Sequence, residues 1–323
     1  MTSDPPQGDL SYEERVYEAF LAAAEAGQLT SLESFLAAWP AATPELCSQL
    51  ERFARQLPVR VVPDLGPYVG LARLGAGGMG VVWRAREVDG ERVVAVKRLS
   101  AAFASSPAHI ERFRREARVL ASLKHPGIAA VIALRKAADG ALLLVMECVA
   151  GEDLSHRVAR GPLPVGEALA ISLQIARAME AAHAQGVIHR DLKPSNVMLE
   201  TCGRVRVLDF GLAKHVGSET VALTRTGELL GTPGYMSPEQ ATGGAVDART
   251  DVFAFGCLVF EMLSGRPAAS MRAAVEFELL PDGTPDWVRE LIQAALQPEA
   301  RRRPAHMGEV RAAFEAALES AGS

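Results

Sequence analysis

Two short stretches of the sequence carry the residue types that phosphoryl transfer requires. Residues 189–196 read His-Arg-Asp-Leu-Lys-Pro-Ser-Asn, and an Asp-Phe-Gly triplet begins at Asp209, thirteen residues after Asn196. Asp191 offers a carboxylate that can accept a hydroxyl proton, and Lys193 offers an ammonium that can neutralise phosphate charge. Asn196 and Asp209 are oxygen donors of the kind that Mg²⁺ prefers. Each triplet alone is common, but the ordered set predicts phosphoryl transfer.

A glycine-rich segment lies more than one hundred residues before this set. Residues 74–82 read Leu-Gly-Ala-Gly-Gly-Met-Gly-Val-Val, with the spacing G-x-G-x-x-G-x-V. Glycines at these positions let a tight turn bring backbone N–H groups against phosphate oxygens. Alone, the pattern fits a hairpin without a ligand equally well. A dinucleotide-binding fold is the rival interpretation, but it requires a helix directly after the glycines, whereas residues 81–85 continue as a strand.

A strand that carries a lysine follows this segment. Residues 94–97 read Val-Ala-Val-Lys, and strand alternation puts Ala95 and Lys97 on one face. If the glycine-rich segment covers phosphates, Lys97 can bind their oxygens. Most lysines are solvated surface residues. Here Glu116, in the helix predicted from about Pro107, is suitably placed to pair with Lys97, and this partner favours the functional role.

Together these motifs, with Ser-Pro-Glu at residues 237–239, resemble the ordered signature set of the protein kinases. The chain from about residue 67 is similar to bacterial members of the eukaryotic-like Ser/Thr protein kinases. The resemblance implies an α+β, bilobal protein kinase fold over residues 67–320. Residues 67–147 would form a small antiparallel β lobe with one long helix, and residues 148–320 a large helical lobe. It also implies ATP and Mg²⁺ as cofactors and proteins with Ser or Thr hydroxyls as substrates; the alternative is an ATP-binding pseudokinase scaffold.

The resemblance assigns roles to individual residues. Asp191 is the expected base, Lys193 the partner of the γ-phosphoryl group, and Lys97 with Glu116 the pair that holds the α- and β-phosphates. Asn196 and Asp209 are the expected Mg²⁺ ligands. Met146 stands at the gatekeeper position, before a hinge at residues 147–149. The residues expected around the nucleotide are Leu74, Gly75, Gly77, Gly80, Val82, Ala95, Lys97, Met146, Glu147, Val149, Asp153 and Met198.

Four further features follow from the resemblance. Leu120, Ile132, His189 and Phe210 match an apolar column that links the helix, the sheet and the catalytic loop, with Asp251 beneath it. Glu239 is expected to form a buried ion pair with Arg303. In the hydroxyl-rich segment between Gly211 and Ser237, we expect phosphorylation of Thr224 and Thr226, with Arg190 as a nearby cation, and a bond between Thr232 and Asp191.

The N-terminal region predicts a separate helical module. Ser11 with Glu14 and Thr30 with Glu33 are spaced as capping boxes, and Thr43 precedes a first-turn proline. Prolines at positions 58, 63 and 67 end the helical pattern, so we expect residues 1–66 to be a small all-α module with a linker. It contains no catalytic residue set. A homodimer through these helices or through the small lobe is a possible assembly.

The composition excludes several classes of protein. Of 323 residues, 49% are apolar and the formal net charge is −5, which fits a folded protein and gives no basis for nucleic-acid binding. The apolar runs are far shorter than the roughly 20 residues of a membrane span. The four cysteines are widely separated, without C-x-x-C spacing or a disulfide framework. We therefore expect a cytoplasmic protein without a membrane span.

Overall fold

The computed structural model describes residues 11–25, 35–36, 38–56, 63–77, 80–100, 107–210, 234–267 and 277–321. Within these ranges the chain forms N-terminal helices, a small lobe built on a five-stranded sheet, and a large lobe that is mainly helical. No helix in these ranges is long and apolar enough to cross a membrane.

Two N-terminal helices begin where the capping patterns predict. Helix α1 spans Tyr12–Glu25, directly after Ser11, and helix α2 spans Pro44–Gln56. The Thr43 hydroxyl accepts a hydrogen bond from the Leu46 N–H at 3.3 Å, which caps α2. These two helix starts are confirmed, whereas the start at Thr30 lies outside the described residues. The helices share a small apolar core formed by Val16, Phe20, Leu46 and Leu50, with Phe35, Leu36 and Trp39 packed against it.

The small lobe is an antiparallel sheet with the strand order β1-β2-β3-β5-β4. Its strands are β1 Tyr68–Gly77, β2 Gly80–Glu87, β3 Val93–Leu99, β4 Val131–Lys136 and β5 Leu142–Glu147. Helix α3, Pro107–Ser122, packs on one face of the sheet beside β4. The opposite face carries a second apolar cluster, here called the outer-face cluster. Its buried members are Leu65, Tyr68, Trp83, Ala85, Val94, Val96, Ala137, Leu143 and Val145.

The outer-face cluster includes a residue from the predicted linker. Leu65 precedes β1, yet its side chain is only 2% exposed. Pro67 continues the connection, since its carbonyl accepts a hydrogen bond from the Val88 N–H at 3.0 Å. The division between residues 66 and 67 stays a prediction, and the packing of Leu65 favours a boundary before residue 63.

The large lobe is organised around one buried helix. Its helices are α4 Leu154–Ala159, α5 Val165–His183, α6 Pro238–Ala241, α7 Ala248–Ser264, α8 Asp286–Ala295 and α9 Met307–Ala321. The large lobe also contains a three-stranded sheet, formed by β6 Glu152–Asp153, β7 Val197–Leu199 and β8 Val205–Val207. Val207 of β8 forms a β-bridge with Ile128, in the segment that precedes β4. Helix α7 carries the apolar run at residues 252–260 and packs on α8, where a Cβ at Gly256 would lie 2.8 Å from the Ala295 Cβ. A larger side chain at Gly256 would therefore separate the two helices.

Candidate active site

The catalytic loop is anchored to helix α7 by one buried carboxylate. Asp251, fully buried, accepts hydrogen bonds from the backbone N–H groups of His189 at 2.7 Å and Arg190 at 2.8 Å. The Nε2–H of His183 donates to the same carboxylate at 2.9 Å. Arg190 has a φ of 63°, a conformation that costs a non-glycine residue energy and that these bonds maintain. Asp251 thus fixes the backbone just before Asp191.

Three predicted site residues meet directly after this anchor. The side-chain amide of Asn196 donates to the carbonyl of Asp191 at 2.7 Å and to its Oδ2 at 3.2 Å. The Lys193 ammonium lies 3.1 Å from the same Oδ2. Because the amide nitrogen of Asn196 binds Asp191, its oxygen is the atom directed to serve as a cation ligand. The loop therefore presents one carboxylate, one ammonium and one amide oxygen within a single turn.

Two residues far apart in sequence join the lobes across the cleft. The Lys97 ammonium, from β3, donates to both carboxylate oxygens of Asp209, at 2.7 Å and 2.6 Å. Asp209 follows β8 and has a φ of 48°. The expectation that Lys97 and Asp209 face one site therefore agrees with the structure. A charge-assisted pair of this length also holds both side chains in place.

The ion pair predicted between Lys97 and Glu116 is not the one that this structure forms. The ammonium of Lys97 is bound to Asp209, and the cations around Glu116 are Arg190, Arg112 and Arg115. Burial raises the pKa of Glu116, while those three arginines oppose the rise. Asp209 reaches the Lys97 ammonium with both of its carboxylate oxygens. The catalytic role assigned to Glu116 stays a prediction.

The predicted nucleotide residues of the small lobe lie on adjacent strands. Val82 on β2 is paired with Lys97 on β3, and Ala95 on β3 is paired with Met146 on β5. The glycine-rich hairpin closes with Gly75 opposite Val82 and Gly77 opposite Gly80. Leu74, in β1, is 54% exposed, as a residue at the open edge of a cleft would be.

Gly80 is required by the path of the backbone. Its φ is 143°, and an added Cβ would lie 2.0 Å from the Arg98 carbonyl oxygen. Only glycine fits a strand at this distance with that conformation. The close approach brings the glycine-rich hairpin down onto β3 next to Lys97.

On the large-lobe side, the predicted residues are held by β6, β7 and the hinge. Asp153 is paired with Met198 across β6 and β7, and Val149 lies in the hinge between β5 and β6. The carboxylate of Asp153 caps α4 by accepting the His156 N–H at 3.1 Å. The ribose contact at Asp153 stays a prediction. The Asp153 carboxylate would have to bind the ribose and the His156 N–H at the same time.

The hinge residue Glu147 has contacts of its own that the motifs did not indicate. Its N–H donates to the Ala130 carbonyl at 2.9 Å, and its carboxylate pairs with Arg206 of β8. Arg206 is buried and also donates to the Ile128 carbonyl at 3.0 Å. These bonds fix the hinge against the large lobe. An adenine contact at Glu147, which stays a prediction, would fall to its carbonyl, because its N–H and carboxylate are already bound.

One member of the predicted apolar column is wrong. The rings of His189 and Phe210 lie 4.6 Å apart, and Leu120 lines a small cavity with Phe210. The β4 residue in that cavity is Val131, whereas Ile132 packs on the outer-face cluster. An irregularity in the β4–β5 register between residues 131 and 133 changes which side chains face inward.

The residues at the end of the hydroxyl-rich segment and in helix α6 are fixed by one ion pair and one hydrogen bond. Glu239 and Arg303 form the expected pair, with bonds of 2.8 Å and 2.9 Å. Tyr235 donates its hydroxyl to Glu261 of α7, a contact that the motifs did not predict. Burial raises the pKa of Glu261, and the hydrogen bond from Tyr235 opposes that rise. The carboxylate directly after the apolar run of α7 was the sequence signal for this contact. Thr224, Thr226 and Thr232 lie outside the described residues.

This arrangement matches a known family. The family described as "Protein kinase domain" matches residues 68–308 of the chain. The chain belongs to the protein kinase family. That family implies ATP and a divalent cation as partners of the site. The donor set fits such a cation, because Asn196 and Asp209 supply hard oxygen ligands and phosphate oxygens supply others.

Bacterial Ser/Thr kinases are among the similar proteins. The chain is 40% identical over 258 residues to Serine/threonine-protein kinase pkn3 of Myxococcus xanthus, covering 74% of this chain and 47% of that protein. It is 43% identical over 198 residues to Serine/threonine-protein kinase PknB of Mycobacterium leprae, covering 60% and 32%. This kinase chain thus spans half or less of these relatives' lengths. The expected resemblance to bacterial eukaryotic-like Ser/Thr kinases is confirmed.

Solved structures confirm the expected fold. The kinase domain of Mycobacterium tuberculosis PknI matches with a TM-score of 0.62 and 28% identity, covering 77% of this chain and 96% of that one. A double mutant of the same domain, C20A_R136N, matches with a TM-score of 0.64 and 30% identity. The bilobal α+β kinase fold, with additional N-terminal helices, is therefore the architecture of this chain.

Proposed function

We propose that this chain is an active protein serine/threonine kinase that uses ATP and Mg²⁺. The observation that carries the proposal is that two pairs of residues adjoin. Lys97 binds Asp209, and Asn196 binds Asp191. The Leu208 N–H, next to Asp209, donates to the Asn196 carbonyl at 2.8 Å and joins the two pairs. Each residue of the two pairs has the side chain that the transfer requires. No substitution at these four positions favours the pseudokinase alternative.

Each residue has a distinct proposed role in the reaction. Asp191 orients the substrate hydroxyl and accepts its proton late in a loose transition state. Lys193, bound to the same carboxylate, neutralises the transferred phosphoryl group, and Lys97 binds the α- and β-phosphate oxygens. Asn196 and Asp209 would hold Mg²⁺, which supplies charge neutralisation to the triphosphate when bound. Positioning and electrostatic stabilisation therefore account for most of the rate.

Regulation by phosphorylation is the second part of the proposal. Thr224 and Thr226 lie in the segment that precedes Tyr235, and the catalytic-loop residue Arg190 is the cation nearest to Asp191 in sequence. A phosphothreonine carries nearly two negative charges, so pairing with Arg190 would order the segment. We propose that the chain phosphorylates Thr224 and Thr226 itself. Protein substrates, and any homodimer through the N-terminal helices or small lobe, stay predictions.

An assay with labelled ATP distinguishes an active kinase from the pseudokinase scaffold. With Mg²⁺ and ATP carrying a labelled γ-phosphate, the purified full chain is expected to label a generic basic protein substrate and its own Thr224 and Thr226. Mass spectrometry identifies the modified residues, and denatured chain serves as the control. ATP binding without any transfer would establish the pseudokinase alternative. Transfer only to tyrosine would contradict the Ser/Thr assignment.

Removal of the N-terminal helices is expected to leave ATP binding intact. A chain that begins at residue 63 retains Leu65 and every proposed nucleotide contact, so ATP should raise its Tm as much as that of the full chain. A chain that begins at residue 67 loses the buried Leu65 side chain, so its Tm should be lower than that of the chain that begins at residue 63. Differential scanning fluorimetry with and without Mg·ATP measures both shifts. If ATP no longer raises the Tm of the chain that begins at residue 63, a nucleotide contact must lie before that residue.

A further inference from the structure

The segment immediately before β1 is fastened to the small lobe by side-chain bonds as well as by Leu65. Residues 63–67 are here called the strap. The Asp64 carboxylate accepts the Gly66 N–H at 2.7 Å with Oδ1 and the Ala138 N–H at 2.6 Å with Oδ2. Ala138 belongs to the turn between β4 and β5. The Asp64 carboxylate therefore binds within the strap, at Gly66, and also binds the strap to the β4–β5 turn of the sheet.

The strap is also bound to the strand that carries Lys97. Arg98 follows Lys97 in β3, and its Nη1 donates to the Asp64 carbonyl at 2.8 Å. The same guanidinium forms an ion pair with Asp139 in the β4–β5 turn, where Asp139 also accepts the Ala141 N–H at 3.1 Å. Successive side chains of a strand point to opposite faces. Arg98 is thus held on the outer face while Lys97 reaches into the cleft.

These contacts form a continuous chain from the strap to the cleft. The strap sets the position of the Arg98 guanidinium, Arg98 holds the end of β3, and β3 sets how far the Lys97 ammonium extends. Displacements of about 1 Å at a phosphate-binding group are enough to weaken binding and catalysis. We propose that Asp64 is a positioning residue for the nucleotide, acting through Arg98 on Lys97. The proposal rests on the kinase function proposed above.

The test compares substitutions at Asp64 and Arg98 in the 323-residue chain. Asp64→Ala is expected to raise KM for ATP about fivefold, with kcat changed less than about twofold, because phosphate binding is weakened while Asp191 is untouched. Arg98→Ala should have a similar effect. Asp89→Ala, at an exposed turn of the same lobe, is the matched control and should leave KM unchanged. Rates are measured well below the lowest Tm of the set, so that unfolding does not contribute.

The double variant distinguishes positioning from simple stabilisation. If Asp64 acts through Arg98, Asp64→Ala combined with Arg98→Ala should raise KM no more than either change alone. A lower Tm with an unchanged KM in Asp64→Ala, or KM effects that multiply in the double variant, would overturn the proposal. Fluorescent ATP-analogue binding repeats the comparison without turnover. If the wild-type chain neither binds ATP nor transfers phosphate, both the proposed function and this inference are wrong. If the wild-type chain is active but Asp64→Ala does not change KM for ATP, only the inference is wrong.

Discussion

Asp191→Asn is expected to lower kcat for phosphoryl transfer by roughly 100-fold to 10,000-fold, the range that a positioned general base contributes. Asparagine has nearly the same shape, so the bond from the Asn196 amide to the residue 191 carbonyl can persist. What is lost is the negative charge that orients and deprotonates the hydroxyl. The Lys193 ammonium also loses the carboxylate that now lies 3.1 Å from it. Initial rates at saturating Mg·ATP measure the effect.

Two controls isolate the chemical role of Asp191. Asp282→Asn changes an exposed carboxylate of the large lobe and should leave kcat unaltered. The ATP-induced Tm shift of Asp191→Asn should remain close to that of the wild type, because Lys97 and Asp209 are intact. Equal label incorporation by Asp191→Asn and wild-type chain would mean that another group accepts the proton, and the catalytic assignment would then be wrong.

Arg303→Met is expected to lower the free energy of unfolding by about 3 kcal/mol, the lower end of the range for a broken buried ion pair, because the Glu239 side chain is 14% exposed and loses its cation. The Arg303 side chain is fully buried and donates five hydrogen bonds, two to Glu239 and three to backbone carbonyls. Those carbonyls belong to Arg249, Gln297 and Pro298. The pair therefore joins helix α6 to α7 and to the segment before α9. Urea unfolding measures the loss.

The matched control is an exposed ion pair close in sequence. Arg301, 83% exposed at its side chain, pairs with Glu299, and Arg301→Met should cost less than about 1 kcal/mol. The double variant Glu239→Met with Arg303→Met should recover part of the loss, since no charge is left buried alone. A cost for Arg303→Met no larger than that for Arg301→Met would contradict the buried-pair interpretation.

The pH dependence of stability gives a second readout of this pair. Burial favours the neutral form of Glu239, but bonds from Arg303 and Thr250 outweigh it and lower its pKa to about 2. Because the folded pKa lies below the unfolded value of 4.5, the contribution is complete above about pH 4.5. It is lost as the pH falls from there toward 2, by at most roughly 3 kcal/mol. This acid-dependent loss should be absent in the double variant.

Local sequence pattern was sufficient for parts of the kinase domain and of the N-terminal helices. The run of residues 189–196 fixes Asp191, Lys193 and Asn196 within one loop, because eight consecutive residues cannot place these side chains far apart. Strand alternation put Ala95 and Lys97 on one face, and the capping residues Ser11 and Thr43 placed two helix starts. Each of these results depends on neighbours a few residues away, for which backbone geometry alone sets the relative positions.

Contacts between distant segments were decided by folding. The sequence offered Glu116 as the partner of Lys97, and only the packing of the lobes shows that Asp209 binds the Lys97 ammonium in this structure. A register irregularity in β4 turns Val131, and not Ile132, toward the cavity beside Phe210. The alternation of residues along a regular strand does not predict such an irregularity. The Tyr235–Glu261 contact and the docking of Asp64 on Arg98 join segments at least 26 residues apart. Such pairs depend on how separate elements pack in three dimensions, and one-dimensional spacing carries no information about that packing.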